Sequence, residues 1–510
     1  MVNILISGYY GFDNIGDESI LRTLVSSLRE HIPDCSLTVL SHNPASTREK
    51  YGVEAVDRMS PMAILRAVKK CDMLISGGGS LLQDVTSSKS LHYYLSIIRC
   101  AEFFHKKVFI YSQGIGPIDR PGNRRAAAAA LKRADGIVVR DERSAALLEE
   151  IGIARDKVVI TADPVIRMKK PDGDVGAEIL RKAGVSLDGR LTVGWAIRER
   201  DTDSRFVKEL LRSIQMMKDK YNAQSVLIPF HYEEDGEVCR HIAAQLPDDT
   251  AVCLNEKYLS EDMLSIIGNM DLLVGVRLHS LIYAAIMGVP LIGISYDPKC
   301  TAFLNSVGLD KLSTKENFTA ELFMPEAERV LETGKEQVQC VEAHMVKLSR
   351  KLDTNEKMIC AIMEKSRKHT MQDPQNNTEK KDKSGVRTAG AISFVFLLTL
   401  FAKLLGVVRE MMQANIFGTG IDADLYTASY NSTLYLFTTM CYALCIAAVP
   451  ILTKEFAADR KRGEKAANNL MTITLLGALA AVALWQVFAS TPLVGTIWDL
   501  DAAELPRLAS

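Results

Sequence analysis

The chain has 510 residues, a hydrophobic fraction of 47% and a formal net charge of −1, from 61 Lys and Arg against 62 Asp and Glu. The length predicts about three domains, and the balanced charge argues against a basic protein that binds nucleic acid. The average composition is typical of a soluble globular protein, but it combines a polar first part with an apolar last part.

The first part of the chain alternates short apolar runs with charged segments. Near the amino terminus, VNILIS precedes a glycine-rich loop and a helical pattern with Ile20, Leu24 and Leu28 on one face. The same strand-loop-helix order recurs in the following segments, and a second series begins at LTVGWAI. This alternation predicts parallel sheets that are covered by helices on both faces.

We therefore predict an α/β fold with two doubly wound, Rossmann-like domains, residues 1–165 and 166–365, and an active site in the cleft between them. The helical residues from about Pro325 to Lys365 are expected to close the second domain or to return to the first.

Three glycine-rich loops follow predicted strands of the first domain, at residues 8–18, 76–84 and 112–117. Glycines at such positions let backbone N–H groups approach phosphate or sugar oxygens. The glycine spacing is not GxGxxG and no Walker A lysine is present, which disfavours a dinucleotide or P-loop site. A tight turn is the more typical role of any single glycine, whereas several glycines on successive strand ends favour a binding role. The glycine run 77–79 is expected to precede a helix directly.

The segment GVRLHS places Arg277 and His279 directly after a predicted strand of the second domain. Alternate residues of an extended segment project to the same side, so both side chains are expected to face the cleft. An arginine fork can hold a phosphate or carboxylate, and a histidine can move a proton near neutral pH. The alternative for His279 is a structural residue. Arg198 and Arg200 follow another strand and are candidates for a second anion clamp.

The ten cysteines include no C-x-x-C pair and no Cys/His cluster with the spacing of zinc ligands. We therefore predict neither a disulfide framework nor a metal site, which is consistent with a reducing compartment.

The last part of the chain is apolar after a basic linker at residues 366–387. Three segments are long enough and apolar enough to predict transmembrane helices, at about residues 388–408, 425–453 and 470–490. A buried helical core is the alternative. Basic residues before the first segment and between the second and third predict an inner-membrane protein, with its amino-terminal domains in the cytoplasm.

The ordered motifs SGYYGFDNIGDE, SGGGSLLQD, YSQGIGP, VVRDERS, ADPV, GVRLHSLIYA and ISYDPK resemble those of the polysaccharide pyruvyl transferase family, CsaB type. This family is similar in architecture to two-domain glycosyltransferases of the GT-B type. It transfers the carbon skeleton of phosphoenolpyruvate to a sugar diol, forming a pyruvate ketal and releasing phosphate. The resemblance implies phosphoenolpyruvate as donor substrate, with no further cofactor.

The resemblance also implies roles for individual residues. Arg277 and His279 are expected in the donor site, with His279 as general acid or base and Arg198 as a further donor clamp. The candidates for holding acceptor hydroxyl groups come from two loops of the first domain, and they are Asp13, Asn14, Asp17, Gly78 and Gly79.

The segment LLTLFAKLLGVVREMMQANIFGTGIDADLYTASY resembles the start of a lipid II flippase of the MurJ/MviN type. Lys403, Arg409 and Asp424 match positions that this family uses in its central cavity, although Lys403 has the alternative of extending to the membrane surface. The apolar second segment departs from the family, which usually has arginines there. The flippase fold needs about fourteen spans, whereas three are predicted here.

The sequence thus predicts a pyruvyl transferase that acts on a sugar or a polyprenyl-linked glycan beside a lipid bilayer, fused to part of a flippase. One alternative is a GT-B glycosyltransferase that uses a nucleotide sugar. Another is a non-catalytic glycan-binding module of an exporter.

Overall fold

The computed structural model describes residues 2–85, 87–372, 466–469 and 472. Nearly all of them belong to one compact unit, Met1–Pro374. Among the described residues, no helix is long and apolar enough to cross a membrane. The three predicted transmembrane segments lie outside the described residues except for Thr472, and so do Lys403, Arg409 and Asp424.

The first domain is built on a seven-stranded parallel sheet. Its strands are β1 (Val2–Ser7), β2 (Cys35–Ser41), β3 (Glu54–Asp57), β4 (Met73–Ser76), β5 (Lys107–Gln113), β6 (Gly136–Val139) and β7 (Val158–Ile160). Its helices are α1 (Ile15–His31), α2 (Pro44–Tyr51), α3 (Pro61–Lys70), α4 (Ser88–Phe103), α5 (Pro121–Leu131) and α6 (Glu142–Glu150). The strand order is β3-β2-β1-β4-β5-β6-β7. The direction of winding reverses between β1 and β4, and a crevice opens at such a point in doubly wound sheets.

The second domain repeats this arrangement with a six-stranded parallel sheet. Its strands are β8 (Thr192–Ala196), β9 (Gln224–Leu227), β10 (Ala251–Cys253), β11 (Leu272–Gly275), β12 (Leu291–Ser295) and β13 (Ser313–Thr314). Its helices are α7 (Val175–Lys182), α8 (Arg205–Tyr221), α9 (Tyr232–Gln245), α10 (Ser260–Gly268), α11 (Leu278–Met287), α12 (Pro298–Ser306) and α13 (Ala320–Gln372). The order β10-β9-β8-β11-β12-β13 reverses between β8 and β11.

Helices cover both faces of the first sheet. Leu5 packs in a hydrophobic cluster with residues of α4 and α5. Its neighbours Ile4 and Ile6 point to the other face, where they pack with residues of α1. The predicted α/β fold with two parallel-sheet domains is therefore confirmed. The short strands β3, β7, β10 and β13 were not predicted individually.

The glycine run 77–79 is not followed directly by a helix, contrary to the prediction. The chain continues as an irregular loop, and α4 begins at Ser88. Asp84 explains the difference, because its carboxylate accepts hydrogen bonds from the backbone N–H groups of Asp119 (2.9 Å) and Arg120 (3.1 Å). These bonds hold the loop against its neighbour after β5.

The long helix α13 packs against both domains. Val341 and Met345 belong to a hydrophobic cluster of the second domain, whereas Ile359 and Met363 belong to a cluster of the first. The helix also runs to Gln372, seven residues into the segment predicted as a linker. It therefore both closes the second domain and returns to the first.

A buried carboxylate on α13 holds the end of this helix against the first domain. Glu356 is 1% exposed and accepts hydrogen bonds from the hydroxyls of Ser27 (2.6 Å) and Tyr111 (2.8 Å). Arg167, in the segment that joins the two domains, lies 3.4 Å from the other carboxylate oxygen. Because Arg167 also pairs with Asp353, the network connects the first sheet, the domain linker and α13.

Substituting Glu356 with Ala should lower the free energy of unfolding by about 3 kcal/mol, because Arg167 and two hydroxyl groups lose a buried partner. Urea denaturation followed by circular dichroism measures this. Asp353→Ala is the matched control: its side chain is 48% exposed, so the loss should stay below about 1 kcal/mol. Equal losses in the two variants would contradict the role given to Glu356.

Candidate active site

The loops at the two switch points face each other across one cleft of about 940 Å³. In the second sheet, Gly275 of β11 is the register partner of Ala196 of β8. Arg277 and Arg198 each follow two residues later, which brings both to the same edge of the sheet. The cleft is lined from both domains, and its lining residues include Tyr9, Asp17, Gly79, Arg140, Arg198, Arg277, His279, Tyr296 and Lys299.

The first turn of α1 lies directly against the His279 ring. A Cβ atom on Gly16 would lie 2.0 Å from Nδ1 of His279, so no residue other than glycine leaves room for the imidazole there. His279 is the second residue of α11, and Arg277 is the N-cap of that helix. The two side chains therefore reach the cleft from a strand-to-helix turn, not from the extended segment that the sequence predicted.

His279 lies in a buried ionic cluster. Its Nε2 atom is 3.8 Å from Asp163 Oδ2, which also accepts a hydrogen bond from Arg140 Nη1 (2.8 Å). A second Arg140 nitrogen donates to Ser80 Oγ (2.9 Å). Among the described residues, Nε2 of His279 has no hydrogen-bond partner. Burial, supported by the charges of Arg140 and Lys299, lowers the pKa of His279 to about 4. The ring is therefore neutral at pH 7.

Two arginines and a lysine form the cationic side of the cleft. Arg277 pairs with the buried carboxylate of Asp235, while the guanidinium of Arg198 lies over the Tyr296 ring, 4.5 Å from its centroid. The ammonium of Lys299 lies 5.6 Å from the same centroid and 3.5 Å from a carboxylate oxygen of Asp297. A cation on an aromatic face keeps its N–H groups available for an anion.

Backbone donors add to this cationic side. Arg277 provides no side-chain cap for α11, and the N–H groups of Leu278 and His279 bond to no acceptor among the described residues. The amino terminus of a helix carries a partial positive charge, so these groups favour a phosphate or a carboxylate.

Asp17 projects into the cleft from the first domain, next to Gly16. Its carboxylate lies against Gly79, where a Cβ atom would come within 2.9 Å of Oδ1. Burial raises the pKa of Asp17 to about 7, and the negative charge of Glu18 acts in the same direction. Near neutral pH the carboxyl group is thus present in both protonation states, which suits a group that donates or accepts a proton.

The five residues predicted to bind the acceptor lie in different surroundings in the structure. Asp17, Gly79 and Asn14 line the cleft, but the Asn14 side chain caps α1 by accepting from the N–H of Gly16 (3.1 Å). Asp13 lines a separate pocket of about 240 Å³. Gly78 is not a lining residue of the cleft and packs against α1.

Asp13 makes charged contacts to both domains. Its carboxylate pairs with Lys50 (3.1 Å) in the first domain and with Lys257 (3.4 Å) in the second. Burial alone would raise the pKa of Asp13, but the hydrogen bonds and charges of the two lysines lower it below its ordinary value. Asp13 is therefore an ionised link between the domains.

Arg140, Asp163 and Lys299 belong to the site but were not predicted from the sequence. They follow β6, β7 and β12, so the rule that found Arg277 also applies to them. Arg200, the other candidate clamp, donates to Glu234 (3.0 Å) and is not among the lining residues of the cleft.

The protonation state of His279 can be measured directly. We expect its ring resonances, identified as those absent from His279→Gln, to titrate near pH 4 in nuclear magnetic resonance spectra. Since the unfolded chain binds this proton near pH 6.5, the free energy of unfolding should fall as the pH falls between these values, by up to about 3 kcal/mol. Asp163→Asn should shift the midpoint further down, because the Asp163 charge raises the pKa of His279. A wild-type midpoint near 6.5 would contradict this environment.

Comparison with known proteins identifies the family. The sequence model of polysaccharide pyruvyl transferases matches residues 14–298. The amylovoran biosynthesis protein AmsJ of Erwinia amylovora is 21% identical over 370 residues, covering 61% of this chain and 88% of AmsJ.

Solved structures show the same two-domain fold. HepE from Anabaena in complex with UDP-glucose is 10% identical, with a TM-score of 0.51 over 72% of this chain and 100% of HepE. A glycosyltransferase from Rickettsia africae is 12% identical, with a TM-score of 0.50 over 70% of this chain and 98% of its own. At these identities the likeness concerns the GT-B-like fold alone. Because the family model spans more than half of the chain, this protein belongs to the polysaccharide pyruvyl transferase family and is a polysaccharide-modifying transferase.

Proposed function

We propose that the protein transfers the pyruvyl group of phosphoenolpyruvate to two hydroxyl groups of a sugar in a cell-wall polysaccharide precursor. The observation that carries the proposal is the composition of the cleft. Cations and helix N–H groups of the second domain lie beside two proton carriers, His279 and Asp17. A small dianionic donor whose reaction requires proton transfers fits this combination.

The donor presents a phosphate and a carboxylate, and the cleft offers donors for both. Arg277 and the free N–H groups at the start of α11 form one set. Arg198 and Lys299, on the Tyr296 ring, form the other. Arginine forks match the geometry of both anions, so the two sets can orient the enol carbon between them.

The reaction balances with two acceptor hydroxyl groups. Both hydroxyl oxygens form bonds to C2 of phosphoenolpyruvate, and the bond from C2 to the phosphate oxygen breaks. One hydroxyl proton ends on the methylene carbon, which becomes a methyl group, and the other ends on the released phosphate. The site must therefore deliver one proton to carbon and remove two protons from oxygen.

The two buried carriers suit these tasks. His279 is neutral at pH 7 and can accept a proton from an acceptor hydroxyl group. Asp17, with its raised pKa, is protonated in part of the molecules and can deliver a proton to the methylene carbon. The positive charge of Arg140 and Lys299 near both groups stabilises the phosphate as it leaves.

The finer parts of the proposal rest on sequence resemblance. We infer a CsaB-type enzyme whose acceptor is linked to a polyprenyl lipid, because membrane segments are predicted after residue 387 and resemble a flippase. Lys403, Arg409 and Asp424 are the proposed cavity residues of that region. Addition of pyruvate at the inner leaflet would then precede export of the glycan.

Substituting His279 with Ala should lower acceptor-dependent phosphate release from phosphoenolpyruvate by at least about a hundredfold. Phosphate release is measured with free and with polyprenyl-linked saccharides. His231 lies in the loop after β9 and caps α9, so the control variant His231→Ala should keep a rate within a few fold of wild type. Retention of more than a few per cent of the rate in His279→Ala would remove His279 from the proton transfer. Release of UDP from UDP-glucose by the wild type, without turnover of phosphoenolpyruvate, would favour the glycosyltransferase alternative.

Asp17→Asn tests the second carrier through the pH profile. If protonated Asp17 delivers the proton, kcat/KM of the wild type falls as the pH rises above about 7. In Asp17→Asn we expect a lower rate, by about a hundredfold, and no decline on this alkaline side. If the variant shows the same decline, the decline belongs to the titration of another group, such as the phosphate of the donor.

A further inference from the structure

The Tyr9 ring forms one end of a stack of three rings at the wall of the cleft. Tyr9 stacks on Phe12 with centroids 4.1 Å apart and an interplanar angle of 6°. Phe12 stacks in turn on His42, at 4.4 Å and 4°. Among the described residues, no further ring stacks on the outer side of Tyr9. Tyr9 lines the cleft, whereas His42 lies at the exposed far end of the stack.

A buried arginine supports the stack. Arg58 is 7% exposed and donates hydrogen bonds to the carbonyl of Gly8 (3.0 Å) and to the hydroxyl of Tyr94 (3.3 Å). Its guanidinium carbon lies 5.1 Å from the Phe12 centroid and 5.8 Å from the Tyr9 centroid. Cation–π contacts and these hydrogen bonds hold the rings in place before any ligand binds.

Carboxyl and hydroxyl groups lie around Tyr9, together with the buried guanidinium of Arg58. Burial raises the pKa of the Tyr9 phenol, and the negative charges of Asp17 and Glu234 raise it further. The hydroxyl-bearing side chains of Tyr94 and Ser90 line the same cleft. The polar groups of Asp17, Tyr94 and Ser90 can thus donate hydrogen bonds to sugar hydroxyls and accept them.

A flat apolar ring beside carboxylates and hydroxyls is the chemistry that recognises a pyranose. The C–H face of the sugar packs on the aromatic face, while the polar groups at the edge bind its hydroxyls. The cleft volume of about 940 Å³ lies near the upper end for small-ligand sites, which leaves room for a sugar beside phosphoenolpyruvate.

We propose that the outer face of Tyr9 is the platform on which the acceptor sugar ring stacks, with its hydroxyl pair directed towards Asp17. The inference that the bound sugar is the acceptor rests on the proposed function. A saccharide site at Tyr9 does not itself require phosphoenolpyruvate to be the donor. Tyr9 binds and orients the sugar and transfers no proton.

The test measures saccharide binding by saturation-transfer difference spectroscopy on the full chain, without donor. The probes are methyl β-glucoside, methyl β-galactoside and N-acetylglucosamine. Tyr9→Ala and Tyr9→Leu should raise the Kd by about tenfold, because each loses the stacking face. Tyr9→Phe keeps the ring and should remain within about threefold of wild type. His42→Ala, which removes the ring at the other end of the stack, is the matched control and should also stay close to wild type.

Three results would overturn the proposal: no binding of any probe to the wild type, equal binding by Tyr9→Ala and wild type, or an equal loss in His42→Ala. Near-ultraviolet circular dichroism reports whether each variant is folded, and Tyr9→Leu provides a second substitution should Tyr9→Ala unfold. If Tyr9 governs saccharide binding but phosphoenolpyruvate releases no phosphate, the proposed function fails and the saccharide site stands.

Discussion

The close contact between Gly16 and His279 is the constraint on which the site depends. It brings the first turn of α1 from one domain against the first turn of α11 from the other, at a distance that no Cβ atom permits. Because Asp17 follows Gly16 directly, the same contact carries a carboxyl group to the cationic edge of the second sheet. The cleft is therefore composed from both domains, and neither half contains the complete set of groups.

Burial shifts the pKa values of the two proton carriers, His279 and Asp17, in opposite directions. It penalises the charged form of each, so the pKa of His279 falls to about 4 while that of Asp17 rises to about 7. The buried cations remain charged because each has a carboxylate partner, Asp235 for Arg277 and Asp163 for Arg140. The cleft thus combines permanently charged groups that bind anions with groups that can be neutral and exchange protons.

The sequence predicted the fold from the alternation of strands and helices, and it predicted the site from residues at strand ends. Arg277 and His279 were found because both follow one apolar strand. Arg140 and Asp163 also follow strands, but they follow two different short strands, and their contacts with each other and with His279 become visible only in the structure.

The loop that contains Asp13 and Asn14 shows a second limit of prediction from the sequence. Asp13 and Asn14 are neighbours with similar chemistry, and nothing in the sequence separates them. In the structure Asp13 adopts a positive φ of 54° and pairs with lysines of a different pocket. Asn14 instead caps α1. The backbone turn at Asp13 determines which side chain faces the cleft. The N–H of Ile15, directly after this turn, bonds to the carbonyl of Phe230 in the second domain (3.4 Å).

The packing of α13 limits how far the domains can separate. Rotation of the first domain away from the second would pull the hydroxyls of Ser27 and Tyr111 from the buried carboxylate of Glu356, and a buried carboxylate that loses hydrogen-bond donors is costly. The hydroxyl of Tyr283 in α11 bonds to Ser19 in α1 and opposes the same motion. Both contacts therefore favour the domain arrangement in which Asp17 faces the cations of the second domain.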